Sequence, residues 1–327
     1  MSELSQAGDV AASPTPSADR KTPTFSHRLE YAGVRAAVAV LDTMSWRRAS
    51  DFGARLGALA YRPFGIRADV VEKQIAAAFP AIGGKEVERI ALGAYENLGR
   101  TSIEAALLPR YDAREIVGLF SGVENWDLVE RAVRGGRGLI LVGGHIGNWE
   151  AAGAYTAARG VPFEAIARGM ANPLFDAYVG RTRERAGMRI VHDSEAVRRT
   201  PRALREGHAV AFLFDQGVLG LASTFVNFFG RPAKTPRGPA VFALRLKVPV
   251  VFGAALREPD GRFRMHFEEI AVPETGDRER DIDAIVAEYS RVLETYVRRA
   301  PEQYFWHHRR WRRQPADTPD ALRDPTR

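Results

Sequence analysis

Apolar residues change period along the chain. Up to residue 108 they recur every three to five positions, as at Val87, Ile90, Ala94, Leu98 and Ile103. That spacing predicts a helical entry over 26–61 and helices over 68–80 and 84–108. From about residue 120 short apolar runs alternate with helical stretches. The runs predict strands over 139–142, 163–167, 189–191, 209–214, 248–253 and 263–268. Between and after them, helices are expected over 148–159, 173–186, 194–205, 238–246 and 282–299. This alternation predicts an α/β fold with a mostly parallel central sheet flanked by helices. Residues 217–236, rich in Phe, Gly and Pro, read as a loop. Residues 1–24 have no apolar period and read as a disordered tail. The polar, Pro-containing stretch 315–327 reads as a flexible one. The expected division is therefore a tail over 1–24, a helical region over 25–110, an α/β core over 111–314 and a tail over 315–327.

Of the 327 residues, 45% are hydrophobic and 27% charged, enough for one large domain or two modest ones. The absence of cysteine excludes disulfides, Cys-based zinc sites and a thiol nucleophile, and fits a cytoplasmic protein. Net charge is +7 and the pI about 9.8, with lysine only at 21, 73, 85, 234 and 247. The arginine excess can be compositional. A basic face would equally suit nucleic acid, anionic lipid or an acidic carrier protein. No apolar run of 18 residues is present, so no transmembrane helix is expected. No signal-peptide pattern is visible either. Residues 31–61 carry Arg35, Asp42, Arg47, Arg48, Asp51 and Arg55 among apolar positions. They read as two amphipathic helices that either lie on a membrane surface or pack on the protein.

Candidate chemistry gathers where the strand over 139–142 ends. Gly143 and Gly144 turn the backbone, His145 follows, and Asn148 can cap a helix with Glu150 in its first turn. Open α/β sheets place their chemistry at such strand exits. A carboxylate that fixes one imidazole nitrogen leaves the other free to take a proton. Glu150 is the expected carboxylate, favoured by the helix macrodipole.

Gly-His-Ile-Gly-Asn-Trp-Glu (144–150) resembles the signature of the bacterial lipid A late acyltransferases, the lauroyl/myristoyl group. These belong to the lysophospholipid acyltransferase superfamily. Mycobacterial phosphatidylinositol mannoside acyltransferases look similar. Other blocks agree in order: Asn97-Leu98-Gly99-Arg100, Ala167-Arg168 with Asn172-Pro173-Leu174, and Phe214-Asp215-Gln216. Phe228-Phe229-Gly230-Arg231-Pro232-Ala233, Thr235-Pro236 and the stretch from Pro301 to Trp311 continue the series. The resemblance spans roughly residues 30–313.

The resemblance implies transfer of a fatty acyl chain from a thioester, on acyl-carrier protein or coenzyme A, to a lipid hydroxyl. His145 would be the general base and Glu150 would orient it. No acyl-enzyme, cofactor or metal is called for. Backbone N–H groups over 144–147, or the Asn148 side chain, would meet the oxyanion. Arg168 would clamp an acceptor phosphate or carboxylate, and Asp215 would orient Arg168 or bond a sugar, with Gln216 beside it. Arg231, Lys234 and Arg237 would meet phosphate. Phe225, Phe228 and Phe229 either line an acyl pocket or belong to the core. The basic, aromatic stretch 306–313 suits a membrane interface, a solvated terminus or nucleic acid. His192 and His208 read as structural. The classical lipid A enzymes carry an N-terminal transmembrane helix. The charged segment 31–61 implies instead peripheral attachment to an anionic surface, the cytoplasmic face of the bacterial inner membrane. Two other classes compete: a metal-dependent hydrolase, which lacks a second ligand motif, and a non-catalytic lipid- or nucleic-acid-binding protein. No nucleic-acid module is present, so nucleic acid is not an expected partner.

Overall fold

The computed structural model describes residues 22–217 and 221–327, so the expected tail lies outside them but for residues 22–24. The chain begins with α1 (Phe25–Leu41), α2 (Trp46–Tyr61), α3 (Ala68–Ala78) and α4 (Gly84–Leu107). α5 (Ala113–Gly118), β1 (Phe120–Glu124) and α6 (Trp126–Arg134) follow. Then come β2 (Leu139–Gly143), α7 (Trp149–Ala158), β3 (Phe163–Ala167), α8 (Pro173–Arg185), β4 (Met188–His192), α9 (Ala196–Arg205) and β5 (Ala209–Leu213). The chain continues through β6 (Ser223–Phe228), β7 (Arg231–Pro236), α10 (Gly238–Leu246), β8 (Val250–Arg257), β9 (Phe263–Ile270) and α11 (Arg278–Arg299).

Seven strands form one sheet in the order β1-β9-β8-β2-β5-β3-β4. β8, β2, β5, β3 and β4 are parallel, while β9 and β1 run the other way. The fold is α/β with a mostly parallel sheet, as the alternation predicts. β2 is buried at every position, which its unbroken apolar run requires. β5 returns to lie between β2 and β3, and the chain then crosses to β8 on the other side of β2. The carboxyl ends of β2 and β5 are therefore neighbours.

Three features depart from expectation. Residues 111–138 hold α5, β1 and α6; β1 is an edge strand with Ser and Gly in it, a weak apolar signal. The expected loop over 217–236 is largely the antiparallel hairpin β6–β7. Its two-residue turn places Phe229 and Gly230 at φ 53° and 74°. A turn with both central φ values positive ordinarily carries Asn-Gly or Asp-Gly, and Phe-Gly conceals it. Phe228 and Phe229 are core, while Phe225 faces solvent.

The third departure is the C-terminal stretch. Trp306 and Trp311 are fully buried, and Arg310 is buried too, donating to the Lys234 carbonyl and the Thr235 hydroxyl at 2.7 and 2.6 Å. Arg231 is drawn to the same segment. Its Nη1 donates to the Arg323 carbonyl at 2.9 Å and its guanidinium lies over Trp311. Residues past 314 pack back as well, with Arg309 on Asp324 at 2.7 Å. Core packing has taken aromatic and basic residues that composition alone suggested for a membrane face or for phosphate.

α2 joins the body through small residues. A Cβ on Gly57 would lie 2.0 Å from the Tyr95 carbonyl oxygen, and one on Gly53 2.5 Å from that of Gly99. α2 and α4 thus touch backbone to backbone. The opposite face of α2 exposes Phe52, Leu56 and Leu59 beside Arg48 and Arg55. α1 buries only Leu41.

His307 packs on Tyr95 and Phe305 with ring centroids 4.2 and 5.1 Å apart, and neither of its ring nitrogens finds a partner among the described residues. Burial pulls it down to about 4 from the ordinary 6.5. The unfolded chain thus takes up a proton between pH 6.5 and 4 that the fold refuses. Stability is full above pH 6.5 and falls as the pH drops towards 4. At pH 5 the loss from this residue is on the order of 2 kcal/mol. Urea unfolding of His307→Phe at pH 5 and 7 should show a shallower pH dependence than wild type; an unchanged dependence would contradict this reading.

Candidate active site

β2 and β5 are in register, with Gly143 opposite Leu213. Counting two residues on from each brings His145 beside Asp215. The Asp215 carboxylate takes both donors of that one residue: His145 Nδ1 lies 2.7 Å from Oδ1, and the His145 main-chain N–H donates to Oδ2 at 3.0 Å. The Gln216 carboxamide nitrogen lies 3.4 Å from Nε2. Asp215 is only 2% exposed. Burial alone would raise its pKa. The His145 charge, the two hydrogen bonds and the nearby Arg310 guanidinium outweigh that and bring it down to about 2. Asp215 is therefore ionised throughout the physiological range. An ionised carboxylate on Nδ1 keeps the proton there and leaves the Nε2 lone pair free.

The expected contact between Glu150 and the imidazole is not made. Glu150 stands in the first turn of α7 and holds Arg183 of α8 in a bidentate pair, at 2.6 and 2.9 Å. Asp215, read from sequence as a partner of Arg168 or a sugar, occupies the place given to Glu150. Arg168 follows β3, 70% exposed and 4.0 Å from Asp193. Asp215 does not orient it.

Asn148 caps α7, accepting from Ala151 N–H at 2.9 Å, and its amide donates to Glu104 at 2.7 Å. Both polar atoms of this side chain are engaged, and it is buried out of contact with solvent. Apart from Gly144 N–H, which has no acceptor among the described residues, the main-chain N–H groups of the loop are also committed. Ile146 donates to Gly144, Gly147 to Gln303 and Asn148 to Ala255. Trp149 and Glu150 N–H, the first two of α7, have no acceptor among the described residues.

The loop is held from two sides. Residues 303–305 run beside it, with Phe305 N–H donating to the His145 carbonyl at 2.9 Å. From α4, Asn97 and Thr101 both donate to the Gly147 carbonyl, at 2.9 and 3.2 Å. Gly147 has φ 61°, and a Cβ there would lie 1.9 Å from the Ala255 oxygen. Glu104, fully buried on α4, accepts from Asn148, Ser50 and twice from Arg257. Glu104, Arg257 and Thr101 were not singled out from sequence, because their partners lie 44 to 153 residues away.

An apolar slot of about 120 Å³ opens beside this loop, between the sheet and α7. Gly143, Gly144, Ile146 and Trp149 line it near His145, and Phe163 and Met188 line it where β3 and β4 begin. β3 spans about 13 Å from first to last residue. The His145 ring lies 5.0 Å from that of Trp149.

Among the described residues one cluster has metal-ligand spacing: Glu164, Glu206 and His208. It stands at the start of β3 and β5, the opposite sheet edge from His145, and Glu164 already carries Arg199 and His208. The cluster is an ion-pair network rather than the ligand set a hydrolase built on His145 would need.

Residues 20–313 match the family described as bacterial lipid A biosynthesis acyltransferase. The chain is 27% identical to the lipid A biosynthesis palmitoleoyltransferase of Escherichia coli, over 80% of this chain and 84% of that one. It is 27% identical to the lipid A biosynthesis lauroyltransferase of the same organism, over 82% and 86%. To the phosphatidylinositol mannoside acyltransferase of Mycobacterium tuberculosis it is 28% identical, over 69% of each. The match covers the helical entry, the sheet and the His145 loop alike, and the chain belongs to the bacterial lipid A biosynthesis acyltransferases.

Proposed function

We propose that the protein moves a fatty acyl chain from a thioester of acyl-carrier protein or coenzyme A onto a hydroxyl of a lipid A-type or related glycolipid, with His145 as general base. The observation that carries this is an imidazole, held by a buried ionised Asp215, beside an apolar slot that its neighbours Gly144, Ile146 and Trp149 line. Nε2 takes the acceptor hydroxyl proton as that oxygen attacks the thioester carbonyl carbon. The tetrahedral oxyanion collapses, the carbon–sulfur bond breaks, and the imidazolium returns the proton to the departing thiolate. Asp215 stabilises the transient imidazolium. Three N–H groups without an acceptor among the described residues, those of Gly144 at the strand exit and of Trp149 and Glu150 at the positive end of α7, are the donors available to the oxyanion. Glu150 acts through Arg183 and α7 rather than on the imidazole. Arg168, exposed on the same sheet edge, would meet an acceptor phosphate.

No helix among the described residues is long and apolar enough to cross a membrane. Peripheral attachment is supported by the outward faces of α1 and α2. Phe25, Leu29 and Val40 on α1 and Phe52, Leu56 and Leu59 on α2 are exposed, with Arg28, Arg35, Arg48 and Arg55 among them. Large apolar side chains ringed by arginine suit an anionic bilayer surface, here assigned to the cytoplasmic leaflet of the inner membrane.

Labelled acyl-carrier protein and acyl-CoA, offered with lipid A precursors, phosphatidylinositol mannosides and lysolipids, test this reading. His145→Ala should lower transfer by roughly 10²–10⁴-fold. Equal transfer by both proteins would remove His145 from the mechanism. Asp215→Asn should lower kcat by a similar factor, roughly 10²–10⁴-fold, with little change in KM for the lipid, because it removes the charge that orients the base. Met188 lines the slot where β4 begins, away from His145 at the other end of the strands. Met188→Ala should shift the preferred acyl chain longer by roughly two carbons and Met188→Trp should shift it shorter, as read by competition between acyl-CoAs. Unchanged preference in both variants would place the acyl chain elsewhere.

A further inference from the structure

Two apolar cavities meet at the same three side chains. The slot beneath the sheet and a second cavity of about 340 Å³ both have Trp149, Glu150 and Arg183 in their walls. The second lies under α1. Val34 and Val38 form its roof, Ile103 and Ala106 of α4 one wall, and Phe175 and Val179 of α8 the other. Burying a sugar or phosphate among such groups would strip polar atoms of water at a cost of several kcal/mol. An alkyl chain loses nothing there and gains contact with the walls.

α1 indicates where that chain comes from. Its inner face lines the cavity, yet its outer face is also apolar: Phe25, Leu29, Ala32, Ala36 and Val40 recur at spacings of three and four, all exposed. A helix apolar on both faces is stable only where apolar material lies on both sides. Outside, the bilayer surface proposed above would supply that material. Inside, α1 leaves a space instead of packing tightly, and Leu41 is its one buried residue.

We propose that the cavity beneath α1 holds an alkyl chain of the lipid acceptor while the donor chain occupies the slot under the sheet. This assignment rests on the acyltransferase reading of the slot. The two chains then approach from opposite sides of the Glu150–Arg183 pair and meet at Trp149, whose ring is 5.0 Å from the His145 imidazole. The bidentate pair keeps the two hydrocarbon spaces apart and supplies polar groups where the acceptor chain gives way to its headgroup. An acceptor that already carries a chain would be selected by that chain, and a soluble sugar would be a poor substrate.

Photo-labelling of the full chain in phosphatidylglycerol vesicles tests this. One probe is a dodecyl glucoside with a diazirine at the chain end. The other is a non-transferable thioether analogue of dodecanoyl-CoA with the same group. The glucoside should label the Val38, Ile103, Ala106 and Val179 peptides, and the CoA analogue those of Leu141, Phe163 and Met188. Ala106→Trp should cut glucoside labelling by about tenfold, equivalent to about 1.4 kcal/mol, and leave CoA labelling unchanged. Val38→Trp, on the half-exposed α1, should do the same with no substitution in the body of the protein. Glucoside label confined to the outer stripe of α1, glucoside label in the slot, or labelling indifferent to both variants would overturn the proposal. Loss of CoA labelling from the slot, with the glucoside still beneath α1, would support the alkyl site and count against the acyltransferase reading of the slot instead.

Discussion

One buried carboxylate organises this molecule's chemistry. Asp215 sits almost out of water, ionised, with both oxygens on the backbone and ring of His145. Removing one partner of such a pair strands a charge, at roughly 3–5 kcal/mol. The pair exists because β5 returns beside β2 in register, so two residues 70 apart in sequence leave adjacent strand ends at the same height. The right neighbour for His145 is thus a consequence of strand order and not of local spacing.

A second buried carboxylate holds the other side of the same loop. Glu104 accepts from the α7 cap residue Asn148, from Arg257 at the end of β8 and from Ser50 on α2. α4, seated against α2 through glycines, thereby ties the helical entry to the strand ends. Together with the glycine fit at Gly147 and the backbone bonds from Gln303 to Phe305, this leaves the loop little freedom. The general base proposed at His145 needs such placement, since small displacements from the reacting atom are costly.

Much of the fold was legible. The change from helical to strand period, the unbroken apolar β2 and the Asn148 cap all act locally, and local signals survive in a sequence. The hairpin β6–β7 did not, since its turn uses Phe-Gly at positive φ. Of the candidate site, His145 and Gln216 come together with Asp215 as neighbours. Glu150, Asn148 and Arg231 are engaged elsewhere, by Arg183, Glu104 and the C-terminal segment. In each case the deciding partner is distant in sequence. Trp306 and Trp311 make the same point: interleaved with arginine they resemble a surface motif, and packing against Phe228 and Phe229 makes them core.

In the proposed mechanism Asp215 fixes the proton on Nδ1 of His145 and leaves Nε2 as the base. Nitrogen-15 NMR of histidine-labelled protein at neutral pH, with the His145 signals assigned by loss in His145→Gln, reads this tautomer directly. A protonated Nδ1 and a bare Nε2 are expected in the wild type, and a mixture of tautomers in Asp215→Asn. A protonated Nε2 in the wild type, or a tautomer unaffected by Asp215→Asn, would contradict it.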